Sequence, residues 1–400
     1  MTGEQLGARV IEATRAAAAE PDAPQPLHAP VFEGREVSYL TECIETGWVS
    51  SVGTFVDRFE QELAAFTGST RAVAVANGTV ALHACLRLVG VEPGDEVLVP
   101  TLTFVGTVNP IAYAGAVPHF VDSEEPTLGV DPDKLAEYLA SALTRGQDGP
   151  RNRATGRRVR ALIVMHTYGH PARLDDLTAV CERFGLVLVE DAAESLGSYY
   201  RGSHTGNTGR IAAISFNGNK TVTTGGGGAI LTNDEALGAL AKHVTTTAKL
   251  PHRWAFHHDM VGYNYRMPNI NAALGCAQLE QLPGFLQAKR ALAARYMETF
   301  RDLPGVRIFA EPAECRSNYW LNVLLLDPEV ASLRDAVLDA TNSAGITTRP
   351  AWTLMHRLPM FASAPRMDLG TAESIERRLI NLPSGVGTAR GRGRRPARDR

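Results

Sequence analysis

Short apolar segments alternate with segments of helical periodicity along most of this sequence, from about residue 55 onward. Strands are predicted at 72–76, 96–99, 117–121, 159–165, 186–189, 211–216 and 229–232, and the helices between them include 79–88, 106–114 and 174–184. Strands that alternate with helices in this way predict a mostly parallel sheet with helices on both faces. We therefore expect an α/β fold.

The pattern changes after about residue 250. A long helix is predicted at 270–303, followed by a strand at 320–326 and a helix at 332–344. This change divides the chain into a large α/β domain at 31–250 and a smaller C-terminal α+β domain at 251–384.

Three further segments flank or interrupt these domains. Residues 1–30 are predicted to form a peripheral helix and a proline-containing link, and the stretch 144–160, which holds six Arg, is expected to loop out into solvent. Residues 385–400 are rich in Arg and Gly and are predicted to be disordered. Residues 390–400 hold six Arg and one Asp, so the formal net charge of −3 conceals a charge of −8 on the remainder.

The composition and charge exclude several classes of protein. The 400 residues are 44% hydrophobic and 21% charged, which is typical of a globular chain and not of a disordered, collagenous or disulfide-rich one. An acidic body offers no basic face to a phosphate backbone, so no nucleic-acid partner is expected. Five scattered cysteines without a CxxC pair favour a reducing compartment, and no apolar run approaches the roughly 18 residues of a membrane span. We expect a cytoplasmic protein that has no membrane partner.

Ligands of parallel α/β sheets bind at the carboxyl ends of the strands, so the residues that follow each predicted strand matter most. Asn77-Gly78-Thr79 follows the first strand and opens a helix, where free N–H groups and a hydroxyl suit a phosphate. An ordinary turn with Thr79 as the helix N-cap is the alternative. Phe104 follows the second strand and either stacks on a planar ring or joins the core.

Charged residues follow two of the later strands. Glu190 and Asp191 end the fifth strand, where a carboxylate either caps a turn or pairs with a cation such as a protonated ring nitrogen. Lys220 comes shortly after the sixth strand and precedes a run of four glycines. Lysine is the residue that forms imines with carbonyl compounds. A phosphate cradle, an aromatic plate, an acid and such a lysine together are what pyridoxal 5′-phosphate (PLP) requires.

The motifs that carry these residues resemble those of the DegT/DnrJ/StrS-type aminotransferases, PLP enzymes of fold type I that act on nucleotide-linked keto-sugars. The resemblance runs from about residue 55 to 383 and rests on NGT at 77–79, PTLTF at 100–104, VEDAAES at 189–195, SFNGNK at 215–220 and GYNYRMPNINAALG at 262–275. It implies a seven-stranded type of sheet in the large domain. TGWVSSVG at 46–53 and TTRPAWTLMHRLPMF at 347–361 look most like the branch that serves legionaminic-acid and bacillosamine-type sugars.

The resemblance implies a role for each matching residue. Lys220 is the catalytic Schiff-base lysine, Asp191 pairs with the pyridinium nitrogen, and Phe104 stacks on the ring. The other cofactor contacts that it implies within one subunit are Gly78, Thr79, Glu194, Ser215 and Asn217. Asn264 reaches the phosphate bound by the neighbouring subunit, which implies a homodimer with its active site at the interface.

The substrate pocket carries a weaker signal than the cofactor site. Four residues are candidate contacts for the phosphate and the sugar, namely His166, Arg349, Trp352 and His356. For His166, a place in the core is the alternative. The histidines at 252, 257 and 258 lack the cysteine and carboxylate partners of a metal site, so no metal is expected.

The predicted function is transfer of an amino group from an amino acid, L-glutamate, to a nucleotide-linked 4-keto-6-deoxy sugar. Such a reaction belongs to amino-sugar, surface-glycan or glycosylated-metabolite biosynthesis. The alternatives are a 3-keto-sugar or aminocyclitol aminotransferase of secondary metabolism, a catalytically idle PLP-binding regulatory protein, and a nucleic-acid-associated protein that acts through its Arg-rich tail. The chain departs from the family pattern after Ser384, where the family continues as a helix and this sequence enters the tail.

Overall fold

The computed structural model describes residues 2–391. Its strands are β1 (Arg71–Val75), β2 (Glu96–Pro100), β3 (Val117–Val121), β4 (Leu143–Gly146), β5 (Gly149–Asn152), β6 (Val159–Met165), β7 (Val187–Asp191), β8 (Tyr199–Tyr200), β9 (Ser203–His204), β10 (Ile211–Ser215), β11 (Gly228–Thr232), β12 (Val306–Ile308), β13 (Cys315–Arg316), β14 (Asn322–Leu326), β15 (Arg349–Pro350) and β16 (Leu379–Leu382). Its α-helices are α1 (Gly3–Ala17), α2 (Glu36–Thr46), α3 (Thr54–Thr67), α4 (Gly78–Leu88), α5 (Val105–Tyr113), α6 (Pro132–Ala142), α7 (Leu174–Phe184), α8 (Glu235–Thr245), α9 (Asn269–Thr299), α10 (Arg334–Ser343), α11 (Gly370–Arg378) and α12 (Val386–Arg390). Short 3-10 turns lie at Thr167–Gly169, Pro328–Leu333, Met355–Arg357 and Pro359–Phe361.

The largest sheet within residues 2–391 has seven strands in the order β1-β11-β10-β7-β6-β2-β3. Strand β11 runs antiparallel to β1 and β10, and the other pairs in the sheet are parallel. Both faces are buried, because Val73 and Val75 pack toward α4 while Ala72 and Ala74 pack toward α3 and α9. Burial on both faces explains why the strands are apolar throughout. The predicted sheet, mostly parallel and covered by helices, is confirmed.

A second, antiparallel sheet with the order β12-β14-β16-β15 forms the centre of the C-terminal part of the described chain. Helix α1 belongs to its core, since Leu6 and Val10 are fully buried among residues that include Val337 of α10 and Leu324 of β14. The N-terminal segment was predicted to be peripheral, and the structure corrects this. Its apolar residues form one stripe along the helix, and the C-terminal part covers that stripe.

Helix α9 connects the two parts. Ala273 and Leu282 of its first half pack in the core that contains α3, whereas Phe285 and Leu292 of its second half pack in the C-terminal core. The sequence places the domain boundary near residue 250, but the two cores meet inside this helix. One helix with apolar residues around much of its circumference serves both cores.

Two segments that were predicted to lack regular structure are partly ordered. Strands β4 and β5 pair as a hairpin in the basic stretch, and the Arg158 guanidinium lies 2.6 Å from the Asp95 carboxylate. Helix α12 lies within the predicted disordered tail, and its Val386 and Ala389 are buried in the C-terminal core. Residues 392–400 of the predicted tail lie outside the described residues. No helix between residues 2 and 391 has both the length and the apolar character to cross a membrane.

Candidate active site

A cavity of about 330 Å³ opens at the carboxyl ends of the central strands. Strands β6, β7 and β10, the start of α4 and the segments that follow β2 and β10 all reach it. Its lining residues are Asn77, Gly78, Thr79, Leu82, Phe104, Gly106, Thr107, Met165, Asp191, Ala193, Glu194, Ser215, Asn217, Asn219, Lys220, Trp320 and Trp352. Eight of the nine residues with a predicted cofactor role are among them, Asn264 being the exception.

The N-terminus of α4 forms one end of the cavity. Asn77 is the N-cap, and its side-chain oxygen accepts a hydrogen bond of 3.0 Å from the Val80 N–H. The earlier N–H groups of the first turn have no partner within the helix, so they are available to an anion. A Cβ at Gly78 would lie 2.9 Å from the Ser215 Cβ, so only glycine allows the helix start to approach β10 this closely. The Thr79 and Ser215 side chains both line this end.

The glycine run after Lys220 serves the same close approach. A Cβ at Gly228, the first residue of β11, would lie 2.6 Å from the Gly78 nitrogen. A side chain at either position would push the start of α4 away from the strand ends. The last glycine of the run therefore shapes the end of the cavity at the start of α4.

Asp191 lies on another wall of the cavity and is 3% exposed. Its carboxylate accepts hydrogen bonds from the Thr107 hydroxyl at 2.7 Å and from the Ala193 N–H at 3.0 Å. Burial raises the pKa of Asp191, and these hydrogen bonds offset only part of that rise. A cation bound against this carboxylate would restore its charged form.

Lys220 and Glu194 form an ion pair inside the cavity, with the Lys220 Nζ 3.2 Å from Glu194 Oε1. The other carboxylate oxygen of Glu194 accepts a 2.9 Å hydrogen bond from the Tyr168 N–H. Burial raises the pKa of Glu194 to about 7, although the Lys220 amine acts in the opposite direction. The Lys220 amine also lies 3.8 Å from the centre of the Trp320 ring, in a cation–π contact.

Aromatic rings frame the mouth of the cavity. Phe104 is 49% exposed and its ring centre lies 6.4 Å from that of Trp352. Trp352 in turn stacks on Tyr168 with centres 4.6 Å apart. A half-exposed phenyl ring on a cavity wall can stack on a planar ligand, so the alternative that Phe104 joins the core does not hold.

Four predicted site residues do not belong to the cavity lining among the described residues: His166, Asn264, Arg349 and His356. His166 is a core histidine, because its Nε2 donates to Glu190 at 2.9 Å and its Nδ1 accepts from the Ala172 N–H at 3.3 Å. The structure therefore corrects its prediction as a substrate contact and favours the alternative. A position just after a strand does not reveal which way the side chain points.

The other three lie at different places. The Arg349 guanidinium is bound to the Asn342 side chain and to the Thr348 carbonyl on the C-terminal sheet. His356 is buried against Thr101, with 2.8 Å between Nδ1 and Oγ1, and lines a separate depression of about 200 Å³. The Asn264 side chain is exposed and accepts a hydrogen bond from the Arg266 guanidinium. Within one subunit, Trp352 alone of the four predicted substrate contacts reaches the described cavity lining.

Thr107 and Trp320 lie in the cavity wall, although the sequence motifs assigned no role to either. Thr107 lies three residues after Phe104 in the first turn of α5, and that spacing on a helix next to a motif was the available signal. Trp320 comes from the C-terminal part of the chain, and no local pattern connects it to Lys220. Its place in the site depends on how the two parts pack.

Comparison with known proteins identifies the family. The DegT/DnrJ/EryC1/StrS aminotransferase family matches residues 31–394. This chain belongs to that family. The resemblance that the sequence motifs indicate is thereby confirmed, and with it PLP-dependent transferase fold type I and an aminotransferase activity.

Several members of the DegT/DnrJ/EryC1/StrS family resemble this chain along most of its length. GDP-perosamine synthase of Escherichia coli O157:H7 is 36% identical over 359 residues, which cover 90% of this chain and 93% of the relative. The structure of the aminotransferase TlmJ from Streptoalloteichus hindustanus has a TM-score of 0.81 at 28% identity and covers 90% of this chain and 94% of TlmJ. DesI, solved in the presence of its TDP-sugar product, has a TM-score of 0.80 at 27% identity, with 93% and 92% of the two chains covered.

Membership of the DegT/DnrJ/EryC1/StrS aminotransferase family also confirms PLP as the cofactor. The donor set of the cavity fits this molecule, because an anion-binding helix start, a buried carboxylate and a lysine amine all face one space of about 330 Å³. Gly78 lets the start of α4 lie against Ser215, so that the N–H groups of the first turn and the Thr79 and Ser215 hydroxyls face the same end of the cavity, as a phosphate requires. Among the described residues, no cluster of three or more His, Cys, Asp or Glu side chains could hold a metal ion.

Proposed function

We propose that this aminotransferase moves an amino group from an amino acid, L-glutamate, to a nucleotide-linked 4-keto-6-deoxy sugar. One observation carries the proposal: the Lys220 amine, the Asp191 carboxylate and the N-terminus of α4 converge on one cavity at the strand ends. These three groups differ in charge and chemistry, and each suits a different part of PLP. When bound, PLP supplies an electron sink for the carbon that gains or loses the amine.

Each of these residues has a proposed task at a stated atom. The Asp191 carboxylate holds a proton on the ring nitrogen, since a buried carboxylate with a raised pKa gains most from a cationic partner. The backbone at Gly78 and the side chains of Thr79, Ser215 and Asn217 bind the phosphate. The Phe104 ring stacks on the cofactor ring and fixes its plane.

Lys220 moves the proton between the cofactor and the substrate carbon once its amine is free. Glu194 holds this amine by the ion pair at 3.2 Å. A carboxyl group with a pKa of about 7 changes charge near neutral pH, so Glu194 can keep the amine in place and also exchange a proton with it. Glu194 is buried and the Lys220 side chain is 12% exposed, so little bulk water reaches the transfer.

We further propose a homodimer in which Asn264 of each subunit reaches the phosphate bound by the other. The support is a segment of exposed apolar side chains next to Asn264: Trp254, Phe256 and Val261 are 73%, 77% and 88% exposed. Large apolar side chains exposed side by side are typical of a surface that another chain covers. A second copy of this chain would bury them and bring the Asn264 amide to the site.

The proposed sugar substrate rests on the relatives. GDP-perosamine synthase is named for a GDP-linked product, and DesI was solved with a TDP-sugar. The motif likeness to the legionaminic-acid and bacillosamine branch supports a 4-keto sugar. A 3-keto sugar or an aminocyclitol remains the second candidate. We place the reaction in the cytoplasm, in keeping with the free thiols of Cys43, Cys85, Cys181, Cys276 and Cys315.

The test is a panel of UDP-, GDP- and TDP-linked 4-keto and 3-keto sugars, each incubated with L-glutamate and with the PLP-loaded protein and analysed by product mass. We expect one 4-amino sugar, with 2-oxoglutarate formed in equal amount. Lys220→Ala should lose activity by at least about a thousandfold and should lose the visible absorbance of lysine-bound cofactor. Lys242→Ala, which removes a lysine paired with Glu60 outside the cavity, serves as the matched control and should keep both. Full activity of Lys220→Ala, or amination only at C3, contradicts the proposal.

The same panel distinguishes an aminotransferase from a catalytically idle PLP-binding regulatory protein. A cofactor-binding protein without catalytic function would show the visible absorbance and yet form no 2-oxoglutarate from L-glutamate, even without a sugar acceptor. Sedimentation of the full chain tests the dimer. Trp254→Ser combined with Phe256→Ser should shift it toward the monomer and lower activity in proportion.

A further inference from the structure

Lys289, on α9 in the interior of the protein, is a charged residue that the proposed reaction does not use. Its side chain is fully buried. The amine donates hydrogen bonds to the Ser384 carbonyl at 2.6 Å and to the Trp320 carbonyl at 3.2 Å, and lies 3.0 Å from His28 Nε2. An ammonium group has three donors, so these three partners use its full capacity.

One of these partners leads directly to the active site. The Trp320 ring lies under the Lys220 amine at 3.8 Å, and its Nε1 donates a 2.8 Å hydrogen bond to the Asn219 carbonyl. The backbone N–H of Trp320 donates to the nearby Asn318 side chain at 2.7 Å, and two contacts reach more distant parts of the chain: the indole N–H is bound to the segment that carries Lys220, and the backbone carbonyl is bound to Lys289. The two contacts come from the two packed parts of the chain.

The other partners explain why a lysine occupies this place. Ser384 follows β16, and its hydroxyl accepts hydrogen bonds from the Asn322 N–H and side-chain amide on β14. His28 belongs to the N-terminal link. One amine thus gathers three separate segments around the start of β14, where Trp320 lies. An apolar side chain would leave the Ser384 and Trp320 carbonyls without this donor, which destabilises buried polar groups.

We infer that Lys289 is a positioning residue for the reaction, which fixes the backbone of Trp320 so that the indole ring stays against the Lys220 amine. The ring face and the Glu194 carboxylate then hold the amine from two sides. Without Lys289 the Trp320 carbonyl loses its donor. The segment is then held by the Trp320 N–H, which donates to Asn318, and by the Leu321 N–H, which donates to the Tyr168 carbonyl at 3.3 Å. With this weaker hold we expect the ring to gain other orientations. Small misplacements of a proton-transferring group cost rate because the transfer depends steeply on distance.

Burial also lowers the pKa of Lys289 to about 7. The neutral amine still has two donors, enough for both carbonyls, and its lone pair can accept from His28. The hydrogen bonds from Lys289 to the Trp320 and Ser384 carbonyls can therefore form whether the amine is charged or neutral. This agrees with a positioning role, in which the amine serves as a donor and its charge is secondary.

The experiment uses the full chain loaded with PLP and labelled with 5-fluorotryptophan, and it compares the wild type with Lys289→Met. Four tryptophans give four ¹⁹F signals, and Trp320→Phe identifies the one that belongs to Trp320. Arg295→Met is the matched control, since Arg295 lies on the same helix and also donates to two backbone carbonyls, those of Ala17 and Ala389. Lys289→Gln, which keeps an NH2 donor group on a shorter side chain, covers the case in which the methionine variant does not fold.

We expect the Trp320 signal to shift or split in Lys289→Met, to change less in Lys289→Gln, and to stay in place in Arg295→Met. Turnover should fall about ten- to a hundredfold in Lys289→Met while KM for the amino donor changes little. In a protein that already carries Trp320→Phe, Lys289→Met should lower turnover much less, because Lys289 acts through the indole that has been removed. A Trp320 signal unchanged by loss of Lys289, or moved equally by Arg295→Met, overturns the inference.

The inference rests on the proposed role of Lys220, but its failure can be told apart from failure of that proposal. The ¹⁹F signals report on the Trp320 ring whether or not the protein has activity. A shifted signal with unchanged turnover would refute the part played by Lys289 in the reaction and leave Lys220 as the catalytic group. If Lys220 is not the catalytic group, the sugar panel will show it, and the ¹⁹F comparison will still report whether Lys289 positions the Trp320 ring.

Discussion

Glu190 and Asp191 are neighbours on β7, and the two faces of this strand give them opposite environments. Glu190 is fully buried and accepts hydrogen bonds from His166 and from the N–H groups of Gly206, Thr208 and Gly209. Asp191 is nearly as buried and accepts from Thr107 and Ala193 among the described residues. Burial favours the neutral form of both, yet the pKa of Glu190 is held below its ordinary value by His166 and the N–H groups, while that of Asp191 is raised.

This difference separates a carboxylate that supports the fold from one that is ready for a ligand. Four donors satisfy the buried Glu190 carboxylate, so replacing this side chain should leave donors without their acceptor and cost stability. It leaves Asp191 with too few donors for a buried charge, so a bound cation can add much to its stabilisation. The following predictions test this contrast.

The largest effect is expected for Asp191→Asn. The amide keeps the size of the side chain but cannot stabilise a protonated ring nitrogen, so we expect kcat to fall about a thousandfold. The melting temperature should stay within a few degrees of the wild type, because burial of a neutral amide replaces burial of a poorly solvated carboxyl. Steady-state rates and thermal unfolding of the same preparation check both points. A variant that loses stability and keeps its rate would reverse the roles assigned to the two residues.

Glu190→Gln should show the opposite profile. Loss of the carboxylate charge leaves the His166 Nε2–H and three backbone N–H groups with a weaker acceptor, at a cost of about 2–3 kcal/mol in the free energy of unfolding. The kcat of the protein that remains folded should stay within a few-fold of the wild-type value. Urea unfolding of the cofactor-free protein measures the first quantity and active-site-normalised kcat the second. If kcat fell as far as in Asp191→Asn, the separation of the two faces would not hold.

Glu194→Gln tests the pH dependence that the cavity imposes. Glu194 has a pKa of about 7 when folded and an ordinary value of 4.5, so between these values the folded protein keeps a proton that the unfolded chain has lost. Stability therefore falls as pH rises from about 4.5 to about 7, by up to about 3 kcal/mol from this group. The glutamine side chain does not titrate. The free energy of unfolding of the variant should therefore rise relative to that of the cofactor-free wild type at pH 8, but not at pH 4.5. If the difference in unfolding free energy between the two proteins were the same at pH 4.5 and pH 8, the raised pKa of Glu194 would be contradicted.

Thr107→Val should have the smallest effect. Valine keeps the shape but removes the 2.7 Å hydrogen bond to Asp191, worth about 1–2 kcal/mol for a charged acceptor. We expect a several-fold weaker hold on PLP and a modest loss of rate, measured by cofactor titration and kcat. Thr14→Val, a buried threonine on α1 far from this strand, is the control for the change of residue type. Equal losses in the two variants would show that Thr107 acts through packing alone.

Much of the site was predictable from the sequence because its residues follow strand ends within short motifs. Gly78, Thr79, Phe104 and Asp191 follow from the rule that ligands bind at the carboxyl edge of parallel strands, and Ser215 follows from the family resemblance. The cavity lining contains all five. The fold class was equally predictable, because strands that are buried on both faces carry continuous apolar runs.

Residues whose direction depends on packing were predicted less well. His166 follows β6 as Asp191 ends β7, yet its ring turns into the core toward Glu190. Arg349 and His356 lie in a motif, but the Arg349 side chain is bound to Asn342 in the C-terminal part and the His356 ring lies against Thr101, just after β2. Sequence position tells which edge of the sheet a residue occupies and does not tell which neighbour its side chain meets.

The sequence by itself determined the layered α/β architecture, the lysine and the aspartate of the site, and the family, because these depend on periodicity and on short-range spacing. Only the tertiary structure decided that α1 completes the C-terminal core and that Trp320 lies under Lys220 at 3.8 Å. The physical reason is that such contacts join residues about a hundred or more positions apart. Their energies arise when the two cores pack, and no local pattern in the chain records which faces will meet.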